Sequence, residues 1–357
     1  MLLNVPFYKR NFDPPPPLGG DFISIGPLGT PATDSRVLLC STHTYFTKTY
    51  ALICQICFKE RHFTLQSAIL IVFILKLKTT KTINKLRKEK AKILKMLKKE
   101  RHFVLVHGAI HGAWCWYKVA NQLKLAGHNV TTLDMAASGI NPKQMQEIHS
   151  ISEYHEPLMK SIASLPPNEK VILVGHSLGG LSVSIAMEKY PQKISVGVFV
   201  TGVVVSQNFT YLAFLKEQSR RLGSILNIQY FIFNGTSNNP PILSSLGIEF
   251  LTSRLYQLSP PEDLTLALSL VRPLPPFAND VKLLAEQTAV TNKNNGRVSK
   301  VFIISEKDNL VNADFQKWII EKTGPYAEVK MVDSDRMVMF SNPKDLSSEL
   351  LEIAYKY

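Results

Sequence analysis

One hexapeptide, Gly175-His176-Ser177-Leu178-Gly179-Gly180, constrains this chain more than any other feature. It follows directly on the apolar run Val171-Ile172-Leu173-Val174 and leads into a helix-prone stretch, Leu178 to Lys189, stopped by Pro191. A serine between glycines, placed where a buried strand turns into a helix, predicts a strained turn that presents Ser177 Oγ at the edge of a sheet. The competing reading is an ordinary glycine-rich turn; the strand before and the helix after favour the nucleophile. Acyl transfer at such a serine needs two donors for the developing oxyanion. The Leu178 N–H supplies one. The loop after the first strand, His107-Gly108-Ala109, supplies the other through the Ala109 N–H, while His107 itself is expected to bond backbone.

The same strand–turn–helix rhythm runs through residues 102–357. His102–Val106, Asn129–Leu133, Lys170–Val174, Ile194–Thr201 and Lys300–Ile304 are short apolar, largely β-branched runs of the kind buried on both faces of a parallel sheet. Helical spacing separates them. Trp116, Val119, Leu123 and Ala126 share one face ahead of Gly127, and Asp314–Lys322 and Lys344–Tyr355 are amphipathic. Strands alternating with helices predict an α/β fold, a doubly wound, mostly parallel sheet. Residues 205–290 break the rhythm and are expected to form an inserted helical cap over the C-terminal edge of the sheet, where such folds bind ligands.

The formal charge of +13 suggests nucleic acid until it is located. Residues 76–101 hold 12 Lys/Arg against 2 Asp/Glu, so +10 of the +13 sits in that run and a basic surface across the fold is excluded. Ile83, Leu86, Ile93 and Leu97 give that run helical spacing; a solvated charged helix or a segment that never folds is favoured over a membrane-surface or calmodulin-like function. Residues 11–35, with Pro14 to Pro17, have linker composition. The apolar run Ala68–Leu75 is too short to span a bilayer, which takes about 20 residues. Cys54 and Cys57 form a CxxC with no second half, and the four cysteines are too few for a disulfide scaffold. Lys59–Phe63 recurs as Lys99–Phe103, and only the second copy enters a strand. The folded unit is therefore expected over residues 96–357, with 1–95 an extension that is disordered or a gene-model artefact.

Several segments together resemble the plant methylesterase and hydroxynitrile lyase family of α/β-hydrolases. They are HFVLVHGA (102–109), GAWCWYK (112–118), LDMAASG (133–139), GHSLGG (175–180), LYQLSPPED (255–263) and LVRP (270–273). The resemblance covers about 96–357. It implies the α/β-hydrolase fold and activity on small methyl esters of the salicylate, jasmonate or indoleacetate kind. The lyases carry Thr at the place of Gly108 and Lys at the place of Met337, so these two pocket positions favour the methylesterase branch. The resemblance also places the acid at Asp308, with Glu306 the weaker candidate, both in the loop after the Val301–Ile304 strand.

The third member of the triad is missing. The family's Asp-His-Met stands here as Asp335-Arg336-Met337, and all nine histidines lie before Ser177. A triad in the order Ser, Asp, His is therefore impossible. A guanidinium keeps its proton at neutral pH and cannot serve as a general base. Arg336 is expected instead to pair with Asp308. His111 is the one other base worth weighing, and no acid is evident to orient it.

These residues imply a methylesterase-type hydrolase impaired by loss of its base. The alternative is a non-catalytic binder of small carboxylates. A β-keto acid decarboxylase resembling the methylketone synthases fits less well, because Ser177 is retained and the His is not. No cofactor or metal is implied. The expected ligand is a small carboxylic ester or its free acid, with no nucleic acid and no integral membrane segment; a homodimer is left open. The cytoplasm is the expected compartment, and a plastid address stays open although Asp13, Asp21 and Asp34 suit a transit peptide poorly.

Overall fold

A computed structural model describes residues 83–85, 87–88, 100–222, 228–232, 242–273 and 280–357. The proline-rich linker, the Ala68–Leu75 run, the Cys54/Cys57 pair and the first Lys59–Phe63 copy lie outside the described residues. So does most of the basic run, of which 83–85 and 87–88 are helical. The chain divides into two compact units, Met1–Leu86 and Arg87–Tyr357; the second carries everything below.

Its strands are β1 (His102–Val106), β2 (Asn129–Leu133), β3 (Val171–His176), β4 (Ile194–Val200), β5 (Ile228–Ile232), β6 (Ile242–Leu246), β7 (Ser299–Ser305) and β8 (Glu328–Val332). Six form one sheet in the order β2-β1-β3-β4-β7-β8, and every neighbouring pair is parallel. The longer helices are α1 (Tyr117–Leu125), α2 (Ile151–Ala163), α3 (Gly179–Lys189), α4 (Tyr211–Leu222), α5 (Pro261–Leu270), α6 (Val281–Gln287), α7 (Ala313–Thr323) and α8 (Pro343–Lys356).

Successive strand residues point to opposite faces, and both faces here are dry. Val104, Val106, Val171, Leu173, Phe302 and Ile304 pack with α2, α3, α4 and α7. Their neighbours Phe103, Leu105, Ile172, Val174, Val301 and Ile303 pack on the other side with α1 and α8. Burial on both sides is why these strands are continuous apolar runs. The edge strand β8 is different. Its residues alternate in exposure, and Lys330 pairs with Glu349 and with Glu352, the latter at 2.8 Å. It therefore lacks the apolar signature that marks the interior strands.

After β2 the chain crosses β1 to lay down β3, so β1 and β3 lie side by side at the point where strand order reverses. Open parallel sheets build ligand sites beyond the strand ends at this point. The excursion between β4 and β7 contains α4, α5 and α6, and also an antiparallel pair, β5 with β6, so it is not wholly helical.

The doubly covered sheet has a measurable consequence. Leu173→Ala, fully buried in the interior strand β3, is expected to lower the urea unfolding free energy by about 2–5 kcal/mol. Leu268→Ala, on α5 with 40% of its surface exposed, is expected to change it by less than about 0.5 kcal/mol. Equal losses would contradict this core.

Candidate active site

Ser177 sits between β3 and α3 with φ +52°, in the left-handed region that a side chain rarely adopts. Backbone bonds hold it there: its N–H donates to Val200 O at 3.1 Å, and its carbonyl accepts from Gly180 N and Val203 N at 3.0 and 2.8 Å. The turn is possible because α3 starts almost against β1. A Cβ on Gly179 would stand 2.6 Å from the carbonyl oxygens of Val106 and His107. Ser177 is half-buried. Neither the Leu178 nor the Ala109 N–H has a protein acceptor among the described residues.

Gly108 is equally constrained. A Cβ there would meet His176 Nδ1 at 2.8 Å and Ser177 Cβ at 2.9 Å. A threonine at this position would have to push the serine turn aside. His107 bonds backbone only, Nδ1 to Gly108 O at 2.7 Å and Nε2 from Met135 N at 3.1 Å.

Asp308 lies in the loop after β7 and is buried, whereas Glu306 is exposed. Asp308 Oδ1 accepts from Leu310 N and Val311 N, both at 2.8 Å. Its Oδ2 accepts from Arg336 Nη1 at 2.7 Å. Burial raises the carboxyl above the ordinary aspartate value, against the pull of Arg336 and the two amides. Arg336, in the loop after β8, is itself only 4% exposed. Its Nη2 donates to Ser177 Oγ at 2.5 Å. The structure thus brings Ser177, Asp308 and Arg336 into one chain of contacts, with the guanidinium spanning the other two. Met337 is fully buried on the α1/α8 side of the sheet, and its N–H donates to Asp335 Oδ1 at 2.9 Å.

No imidazole bonds to Ser177 Oγ among the described residues. His111 Nδ1 donates to Ala109 O at 2.8 Å, and its Nε2 meets Tyr256 OH at 2.6 Å. Burial pushes it down to about 4. His176 donates from Nε2 to Arg336 O at 3.0 Å and is held well below the usual imidazole value, by burial first and then by Arg336. Among the described residues no group of three or more His, Cys, Asp or Glu side chains is placed to hold a metal ion.

The group bonded to the serine hydroxyl is therefore a donor. Guanidinium keeps its protons across the physiological range, so it can orient an oxygen or hold an anion but cannot accept the hydroxyl hydrogen. Two contributors escape the reading of the sequence. Asp335 and Tyr256 support the site through partners that lie 76 and 145 residues away along the chain. Both stand in segments that carry the family resemblance, 255–263 and 335–337, but nothing local shows the bonds they make.

The alpha/beta hydrolase family model matches residues 103–349. Among curated proteins, methyl jasmonate esterase 1 of Vitis vinifera is 53% identical over 264 residues, which cover 73% of this chain and 100% of that protein. Salicylic acid-binding protein 2 of Nicotiana tabacum is 41% identical over 263 residues, covering 73% and 100%. Among solved structures, tomato methylketone synthase I complexed with 2-tridecanone is similar with a TM-score of 0.67 and 44% identity, covering 72% of this chain and 99% of that one.

The buried imidazoles make stability depend on pH. His111 is pushed down to about 4, and His155, bonded to Ser182 Oγ, to about 3, each chiefly by burial. In the unfolded chain both return to about 6.5, so the unfolded state takes up protons first as pH falls. Stability present above about 6.5 is then lost towards about pH 4, at about 1.4 kcal/mol per pH unit for each group. Urea unfolding at about pH 6.5 and about pH 5 is expected to differ by on the order of 3 kcal/mol. A flat profile would contradict neutral burial of these rings.

Proposed function

The chain belongs to the alpha/beta hydrolase family, and from that membership we propose a methylesterase-type site for small carboxylic esters in which Arg336 suppresses hydrolysis. One observation carries the reading: the guanidinium stands between Asp308 and Ser177, at 2.7 and 2.5 Å. In a working triad that place belongs to a base that takes the serine proton and later returns it. Arg336 bonds both neighbours and does neither. Ser177 stays a neutral hydroxyl, and the oxyanion amides of Ala109 and Leu178 have no attacking alkoxide to serve. Loss of a triad base costs on the order of 10³- to 10⁶-fold in rate.

Likeness to a methyl jasmonate esterase and to a salicylic acid-binding protein supports cyclic or aromatic acids of this kind as the acyl group. The donor character of the site favours a second reading, a binder of the free acid. Arg336 and the two unspent amides offer hydrogens to an incoming group, and a carboxylate accepts them better than a neutral ester does. Cytoplasmic residence fits the buried free thiol of Cys115.

Full-length protein, Ser177→Ala and Arg336→His are to be compared for hydrolysis of a methyl ester and a nitrophenyl ester. The parent is expected to be nearly inactive, with Arg336→His faster by at least about 10²-fold. Brisk parent turnover abolished by Ser177→Ala would overturn the proposal. For the second reading, calorimetry is expected to show salicylate or jasmonate binding more tightly than the corresponding methyl ester; equal or reversed affinities would remove it.

A further inference from the structure

Three loops carry the site: residues 107–111 after β1, 306–311 after β7 and 333–337 after β8. One short stretch of the excursion between β4 and β7 bonds to all three. Tyr256 OH meets His111 Nε2 at 2.6 Å in the first loop. Gln257 Nε2 donates to Lys307 O at 2.7 Å in the second, beside Asp308. Leu258 N and Ser259 Oγ both donate to Asp335 Oδ2 at 2.9 Å in the third, beside Arg336. A further bond runs from Asn309 Nδ2 to Ser253 O at 3.2 Å.

Asp335 is the centre of this arrangement. It is fully buried, and no cation pairs with it among the described residues. A buried carboxylate needs donors to offset its lost hydration, and its donors come from both sides of the junction. Oδ2 takes the excursion, Oδ1 takes Met337 N across Arg336, and the backbone carbonyl accepts from Ser305 Oγ at 2.6 Å. The sheet pairs β7 with β8, and Lys307 N donates to Ser334 O at 3.0 Å, but β3 and β4 separate β1 from that pair, so the sheet alone does not register the first loop to the other two.

We propose that Tyr256–Ser259 is a strap that sets the spacing of the three site loops, with Asp335 the positioning residue that fixes where the side chain at 336 meets Ser177. The proposal rests on the reading of Ser177, Asp308 and Arg336 as the site. Misplacement of a reacting group by about 1 Å costs roughly 10²-fold in rate, so the strap controls turnover wherever a base is present.

Asp335→Asn is nearly isosteric and turns an accepting oxygen into an amide that faces Leu258 N–H and the Ser259 hydroxyl. In the Arg336→His background it is expected to lower kcat at least about 10-fold while KM moves less than about twofold. Unchanged kcat would overturn the positioning role. Hydrogen exchange of the otherwise unaltered full-length chain gives a readout that needs no turnover. Asp335→Asn and Tyr256→Phe are each expected to speed exchange in all three loops, including those the substituted residue does not touch. Their double variant is expected to add little to the larger single effect, as for one coupled unit. Exchange faster only in the loop that lost its own bond, with additive effects, would overturn the strap. If Arg336→His fails to gain activity, the proposed function falls while the exchange result still decides the strap.

Discussion

A guanidinium and a carboxylate buried together beyond the ends of the strands organise the whole catalytic face. Neither charge is tolerable there alone, because removing an ion from water costs several kcal/mol unless partners replace the lost hydration. Asp308 is held by Arg336 and two amides, and Arg336 by Asp308 and the Ser177 hydroxyl. The pair joins the β7 loop to the β8 loop and reaches the turn after β3. A hydroxyl that would otherwise be free to rotate is thereby held as a hydrogen-bond acceptor. The same contact leaves the hydroxyl facing a group that donates hydrogen and takes none.

The turn around that contact has a defined geometry. The left-handed serine, the close approach of α3 to β1 and the unspent amides of Ala109 and Leu178 are in place. Gly108 has no space for a side chain, which sets this pocket apart from one built around a threonine hydroxyl. The chain is 53% identical to a methyl jasmonate esterase across that protein's full length, and the side chain that meets Ser177 Oγ is a guanidinium. General acid–base catalysis depends on groups that titrate near the working pH, and at position 336 that property is what is missing.

Much of the fold was legible because interior parallel strands advertise themselves. β1 and β2 fall where their apolar runs begin and end, and β4 and β7 differ from expectation by a residue or so at the ends. β8 was not legible: Glu328 and Lys330 interrupt it, and they pair with Lys356 and Glu349 on α8 as well as with each other. α2 carries Pro157 in its interior and buries His155, so its pattern is not simply apolar. Within the site, the serine turn was visible in six consecutive residues. The preference for Asp308 over Glu306 comes from the resemblance alone, and their difference in burial is something sequence does not display. Asp335 was hidden for a different reason, since its meaning lies in bonds to Leu258 and Ser259, far away along the chain.

The backbone of Ser177 carries one more implication. A non-glycine residue in the left-handed region stores on the order of 1–3 kcal/mol, tolerated where the conformation serves a mechanism. At such a backbone position folding alone favours glycine, so the strain is borne for the side chain that stands there. The oxygen that Arg336 holds is thus presented at a cost in folding stability.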